Sequence, residues 1–148
     1  MDTRVFFTYP NAAAEPGASE PGFLDDCSER EWNTLLSHMQ TRSLRAGEVV
    51  FAEGSLDRAL YLLTGGLVEL SGTESPRATV EAPAQLGELA FLDGDRQPAT
   101  ARAVTDGEVL RLSFDSFESL AARDPHLATR ILLDLGRILA ARLRTTSP

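Results

Sequence analysis

Residues 44 to 70 read LRAGEVVFAEGSLDRALYLLTGGLVEL, a series of short apolar runs cut by Ala46-Gly47, Glu53-Gly54 and Gly65-Gly66. Short strands bounded by glycine-containing turns have this texture, because glycine enters tight-turn conformations that side chains resist. The texture continues through Gly72, Asp93-Gly94 and Asp106-Gly107 as far as Leu112. That rhythm predicts a small β-barrel or jelly roll.

Helical patterns flank the barrel. Upstream, Ser28 and Glu31 have the spacing of a capping box, and Trp32, Leu35, Leu36 and Met39 recur at helical intervals, predicting a short amphipathic helix that ends before Leu44. Downstream, one helix is expected to open at Asp115, with Glu118 completing a capping box. A second opens at Asp124-Pro125 and runs to about Arg144. In that last helix Leu127, Ile131, Leu132, Leu135, Ile138, Leu139 and Leu143 share a broad face, while Arg130, Asp134, Arg137 and Arg144 can face water. Residues 1 to 24 have no apolar period and are rich in Ala, Pro, Gly, Ser and Glu, so they are expected to form a mobile arm. The domain is placed at residues 25 to 144, with 145 to 148 as a tail. The fold class expected is mainly β with flanking helices: a jelly-roll barrel with an N-terminal helix, a short helix inside it and two C-terminal helices.

Bulk properties exclude several functions. The chain has 148 residues, 22 acidic side chains against 14 basic ones and a net charge of -8, so its long-range field repels a phosphate backbone. No apolar stretch approaches the roughly 20 residues needed to cross a bilayer, and Val5-Phe6-Phe7 is too short for a signal-peptide core. Cys27 is the single cysteine, so an intramolecular disulfide and a thiolate metal cluster are impossible; a reducing cytoplasm and an inert thiol are expected. A jelly-roll metalloenzyme needs clustered histidines on inner strands, whereas His38 and His126 both fall in predicted helices. No Gly-x-Ser-x-Gly elbow occurs either. The chain is therefore read as non-enzymatic, without cofactor or metal.

The element order and two stretches resemble the cyclic-nucleotide-binding domain family. In residues 44 to 70, Gly47, Glu53-Gly54, Asp57, Leu60-Tyr61 and Gly66 stand where that family has turn and core residues. GELAFLDGDRQPATARA, residues 87 to 103, is similar to the family's phosphate-binding cassette. With the flanking helices the likeness covers residues 28 to 144. It is a likeness to the effector domain of catabolite-activator-type proteins. Because the sequence stops at Pro148, the module is expected to stand alone without a helix-turn-helix, and neither nucleic acid nor membrane is expected as a partner. The resemblance implies cyclic AMP or cyclic GMP as candidate ligands. It further implies that Gly87 leaves room for the ligand, that Glu88 accepts from a ribose hydroxyl, and that backbone N–H groups of Leu89 and Ala90 meet the cyclic phosphate at a helix start.

The resemblance also implies an arginine ten residues after the glycine, then a small residue whose N–H reaches the phosphate. Here those positions hold Gln97 and Pro98. Glutamine is neutral and proline has no N–H. A hydrogen bond to a charged group contributes ~1.5 to 3 kcal/mol, and an uncompensated desolvated charge costs ~3 to 5 kcal/mol, so affinity should fall roughly ten- to a thousandfold. Arg96 lies one place early and would rescue the site only by a register shift, which Pro98 and the flanking Asp93 and Asp95 oppose. Ala99 closes the cassette, and Thr100, Ala101 and Ala103 open the strand that follows. Two functions are carried forward. One is a regulatory sensor with weakened or lost cyclic-nucleotide binding. The other is a degenerate domain used for protein contacts or for homodimerisation through the C-terminal helix.

Overall fold

Ser28 Oγ accepts the Glu31 N–H at 3.1 Å, and the Glu31 carboxylate accepts the Ser28 N–H at 3.1 Å, so α1 (Glu29–Ser37) begins with the reciprocal cap its sequence predicts. This computed structural model describes residues 22–146. Eight strands follow α1, with one short helix among them: β1 (Gln40–Leu44), β2 (Val49–Phe51), β3 (Ala59–Gly65), β4 (Leu67–Ser71), β5 (Ala78–Glu81), β6 (Ala84–Leu86), α2 (Glu88–Asp93), β7 (Thr100–Ala103) and β8 (Gly107–Ser113). The chain then closes with α3 (Phe114–Arg123) and α4 (Pro125–Thr146).

The strands form two antiparallel four-stranded sheets, ordered β1-β8-β3-β6 and β2-β7-β4-β5. Helices and strands share the chain, so the architecture is mixed, with the barrel at its centre. The core explains why ALYLL reads as one apolar run in β3. Ala59, Tyr61 and Leu63 point into the barrel with Val68, Val80, Leu86, Ala101 and Val109. Leu60 points the other way, into a second core with Leu35, Phe91, Leu112, Leu120 and Ile131. A strand covered on both faces has no polar side to alternate.

Several boundaries differ from the sequence expectation. The strand region starts at Gln40 rather than Leu44, because QTRSL is an edge strand whose only fully buried residue is Leu44 and so carries no apolar alternation. α3 is capped by Ser113, whose Oγ accepts the Ser116 N–H at 3.1 Å, two residues before Asp115. Pro125 opens α4 as read, with Asp124 Oδ1 accepting the Leu127 N–H at 3.1 Å, but the helix runs to Thr146 and takes in part of the expected tail. On α1 the buried residue is Leu35, with Trp32 only partly covered.

The arm boundary at residue 24 also moves. Leu24 is wholly buried in the helical core, and its N–H donates to Asp134 Oδ2 at 3.0 Å. Asp134 and Arg130 therefore do not simply face water: Arg130 Nη1 pairs with Glu31 at 3.1 Å, joining α4 to α1. The rest of the arm, residues 1 to 21, lies outside the described residues. Burial pushes the Cys27 thiol above its ordinary pKa, outweighing the opposite pull of Arg130, which keeps it in the unreactive protonated form.

Candidate functional site

Gly87 enters α2 in the left-handed region at φ 77°, and a Cβ there would stand 2.9 Å from the Ala59 carbonyl oxygen of β3. Glycine is thus required by the approach of two backbones, before any ligand is considered. The first intrahelical bond of α2 runs from the Phe91 N–H to the Gly87 carbonyl at 3.1 Å, so the N–H groups of Glu88, Leu89 and Ala90 belong to the helix's opening turn. At the other end Gly94, φ 74°, donates to the Ala90 carbonyl at 2.9 Å. Arg58 reinforces that end: Nε donates to the Phe91 carbonyl at 2.9 Å and Nη2 to the Leu92 carbonyl at 3.2 Å. Its guanidinium also lies 3.5 Å from the centre of the Phe114 ring. Phe91 meets Phe114 and Phe117 edge-on at 5.6 and 5.3 Å, so α2 is packed directly onto α3.

Glu88 is buried, with Arg142 Nη1 of α4 donating to its Oε1 at 2.6 Å. The two side chains are 2% and 4% exposed, which makes this a sealed ion pair between cassette and C-terminal helix. Burial of a guanidinium at the end of an apolar helix face is tolerated because the carboxylate meets it there.

Gln97 is 1% exposed. Its Nε2 donates to the Asp57 carbonyl at 2.9 Å, while its backbone N–H donates to the Ser55 carbonyl and its carbonyl accepts from Gly54 at 2.7 Å. Among the described residues its Oε1 has no hydrogen-bond partner. Asp57, whose carbonyl Gln97 meets, is itself held through its carboxylate. Arg111 Nη2 donates to Asp57 Oδ1 at 2.7 Å, the Tyr61 hydroxyl donates to Asp57 Oδ2, and Arg111 Nε donates to the Tyr61 oxygen at 3.2 Å. Burial first, and the hydrogen bond to Asp57 second, push Tyr61 up to about 12.

The structure brings Gly87, Glu88, Leu89, Gln97, Pro98 and Ala99 to the walls of one cavity of about 20 Å³. That is room for about one water-sized group. Two predicted site residues lie elsewhere. Ala90 is buried away from the cavity walls, and Arg96 is exposed, with Nη1 donating to the Gly54 carbonyl at 2.9 Å. Sequence reasoning missed Phe51, Leu70, Ser75 and Pro76, which complete the walls, and above all Arg142. Arg142 had a legible signal: it continues the Ile131, Leu135, Ile138 spacing of the buried stripe, so a charge there calls for a buried partner.

The sequence pattern of the family described as "Cyclic nucleotide-binding domain" matches residues 41–124. The chain is 34% identical over 119 residues to the cyclic AMP receptor protein of Thermus thermophilus, a match covering 77% of this chain and 53% of that one. It is 36% identical over 84 residues to the cAMP-dependent protein kinase regulatory subunit of Emericella nidulans, covering 55% and 20%. Among solved structures, a cyclic nucleotide-binding domain from Methylobacillus flagellatus superposes with a TM-score of 0.75 at 28% identity, covering 84% of this chain and 72% of that one. The chain spans about half the length of its bacterial curated relative and less of the fungal one. No helix among the described residues is long and apolar enough to cross a membrane.

Proposed function

The chain belongs to the cyclic nucleotide-binding domain family, and from that premise we propose that it is a non-catalytic regulatory module whose cassette captures cyclic AMP or cyclic GMP weakly or not at all. The observation that carries this reading is Gln97. At the position where the resemblance implies a phosphate-binding arginine there is a neutral amide, one of whose two N–H groups donates to the Asp57 carbonyl. The side chain brings no cation to the cavity wall. Pro98 next to it has no N–H to give. Glu88 is held by Arg142, so a ribose hydroxyl has to compete with a charge-assisted bond.

Regulation has two physical routes out of the cassette. Phe91 and Arg58 tie α2 to α3, and Glu88 ties it to α4, so displacement of α2 cannot leave the helices unmoved. Calorimetric titration of the purified chain with cyclic AMP, cyclic GMP and cyclic dinucleotides tests the reading. It predicts no micromolar isotherm with the mononucleotides, and a submicromolar one with either would refute it.

A second reading, a self-association module, is favoured by the outer side of α4. Ile131, Leu135 and Ile138 are fully buried in the domain, whereas Leu132 is 41% exposed and Leu139, seven residues on, is only partly covered. Two copies packed through that side would place the Arg142 helix at a subunit boundary.

A further inference from the structure

A second cavity, of about 480 Å³, lies between α1 and the junction of α3 with α4, and shares no lining residue with the cassette cavity. The only two histidines of the chain, His38 and His126, both stand on its walls, with Arg30 of α1 and Arg123 at the end of α3. Among the described residues the side chains of Arg30, Arg123 and His126 meet no hydrogen-bond or ion-pair partner. His38 Nδ1 is 2.9 Å from the Thr34 carbonyl; since a carbonyl only accepts, Nδ1 is the donor and Nε2 is left for another group. Two carboxylates line the same walls, and both are engaged. Glu31 takes Arg130 Nη1 at 3.1 and 3.2 Å on its two oxygens, and Asp124 Oδ1 takes the Leu127 N–H at 3.1 Å. Counting Arg130, three guanidiniums stand against two carboxylates before either imidazole takes up a proton. This local excess runs against the net charge of -8. Helix stability does not account for it. Arg30 and His126 lie in the first turns of α1 and α4, where the helix dipole opposes a positive group, and only Arg123, in the last turn of α3, sits where its own helix favours it.

We propose that this cavity is a second ligand site and binds a phosphate dianion, either the free ion or a small molecule that carries it as a monoester. Three terminal oxygens and a charge near -2 can accept from two guanidiniums and from imidazole N–H groups at once, whereas a carboxylate offers two oxygens and one charge. Arginines on a flat surface are screened by solvent, but concave walls focus their field on what enters. A cation is repelled by the same excess, and among the described residues no three His, Cys, Asp or Glu side chains are grouped to hold a metal ion. A cyclic phosphodiester has a single charge and fewer free oxygens. Because the walls come from α1, α3 and α4, a bound dianion would tie these three helices together. With no lining residue in common, the two cavities are separate sites, and this one does not depend on what the cassette binds.

The test is titration of the whole chain, at low ionic strength and fixed pH, with inorganic phosphate and separately with glycerol 3-phosphate. It is followed through the imidazole NMR signals of His38 and His126, the only two in the molecule. The expected result is that both signals move along one saturating one-to-one curve with a dissociation constant of roughly 1 mM or below. Arg30→Gln with Arg123→Gln should weaken it about tenfold or more. Both residues are exposed and glutamine is a good helix former, so the fold is kept. Arg77→Gln, at an exposed arginine outside the cavity, should leave the curve unchanged. Tighter binding of glycerol 3-phosphate would identify a monoester as the ligand, and tighter binding of phosphate the free ion; both support the proposal. Absence of saturation by either compound overturns it. So does a curve that the double substitution leaves unchanged, one that Arg77→Gln weakens equally, or displacement of phosphate by cyclic AMP, which would put the anion in the cassette. Submicromolar cyclic AMP binding that leaves both histidine signals in place would refute the preceding functional reading alone.

Discussion

Arg142 and Glu88 stand 54 residues apart in sequence and 2.6 Å apart in space, one at the end of the C-terminal helix and the other at the start of the cassette helix, with both side chains sealed from water. A buried pair of this kind contributes less through attraction than through the penalty of breaking it, because either partner alone keeps a desolvated charge. Position of α4 and state of the cassette are thereby made interdependent.

Arg142→Met and Glu88→Gln should each lower unfolding stability by roughly 3–5 kcal/mol, while the double substitution should recover most of that loss. Urea denaturation of the three variants measures the coupling. Additive losses would show that the two side chains do not act as a pair.

Leu24 is a buried anchor of the helical core although it lies in a segment that reads as an arm. Leu24→Ala should cost about 2–5 kcal/mol. Accordingly, a chain beginning at Gly22 should melt well above one beginning at Asp25, in a thermal scan. Equal melting temperatures would remove Leu24 from the core.

Tyr61 titrates at about 12 in the folded chain, against roughly 10 for an unfolded tyrosine. The native state therefore holds this proton more tightly, so the contribution is complete below about pH 10 and is lost as pH rises toward 12. Denaturant unfolding across that window should show wild-type stability falling faster than that of Tyr61→Phe. Parallel curves would contradict the burial of this hydroxyl and its hydrogen bond to Asp57.

On α4 the apolar residues divide into an inner stripe and the outward Leu132 and Leu139. Leu132→Glu with Leu139→Glu should leave the fold intact and give a monomer in sedimentation equilibrium if the outer side is a dimer interface. Wild-type protein that is already monomeric at roughly 100 μM would end the self-association reading.

How much was legible in the sequence follows from what kind of signal each feature leaves. The capping box at Ser28, the proline opening α4 and the glycine-cut strands are local chemistry, and each stands where it was read. Gly87, Glu88, Gln97 and Pro98 lie within one loop and could be read together. Local reading failed where tertiary context decided. QTRSL is a strand because β8 pairs with it, Ser113 outcompetes Asp115 as a cap because β8 ends there, and Leu24 is core because Asp134 holds its N–H. The Glu88 partner was hidden for the same reason, since nothing near residue 88 points to α4. The close approach of the β3 backbone to Gly87 is likewise a tertiary feature that the local sequence does not announce.

On the proposed function, Gln97 and Pro98 separate this cassette from one that holds a cyclic phosphate. Titrating wild type and Gln97→Arg with Pro98→Ala against cyclic AMP, side by side, tests it most directly, because Gly87 and Glu88 are left in place and only the two donors return. The expected result is no micromolar binding by the wild type and a gain of roughly ten- to a thousandfold in the double variant. A wild type that binds submicromolar cyclic AMP, or a folded double variant that binds no better than wild type, would contradict it.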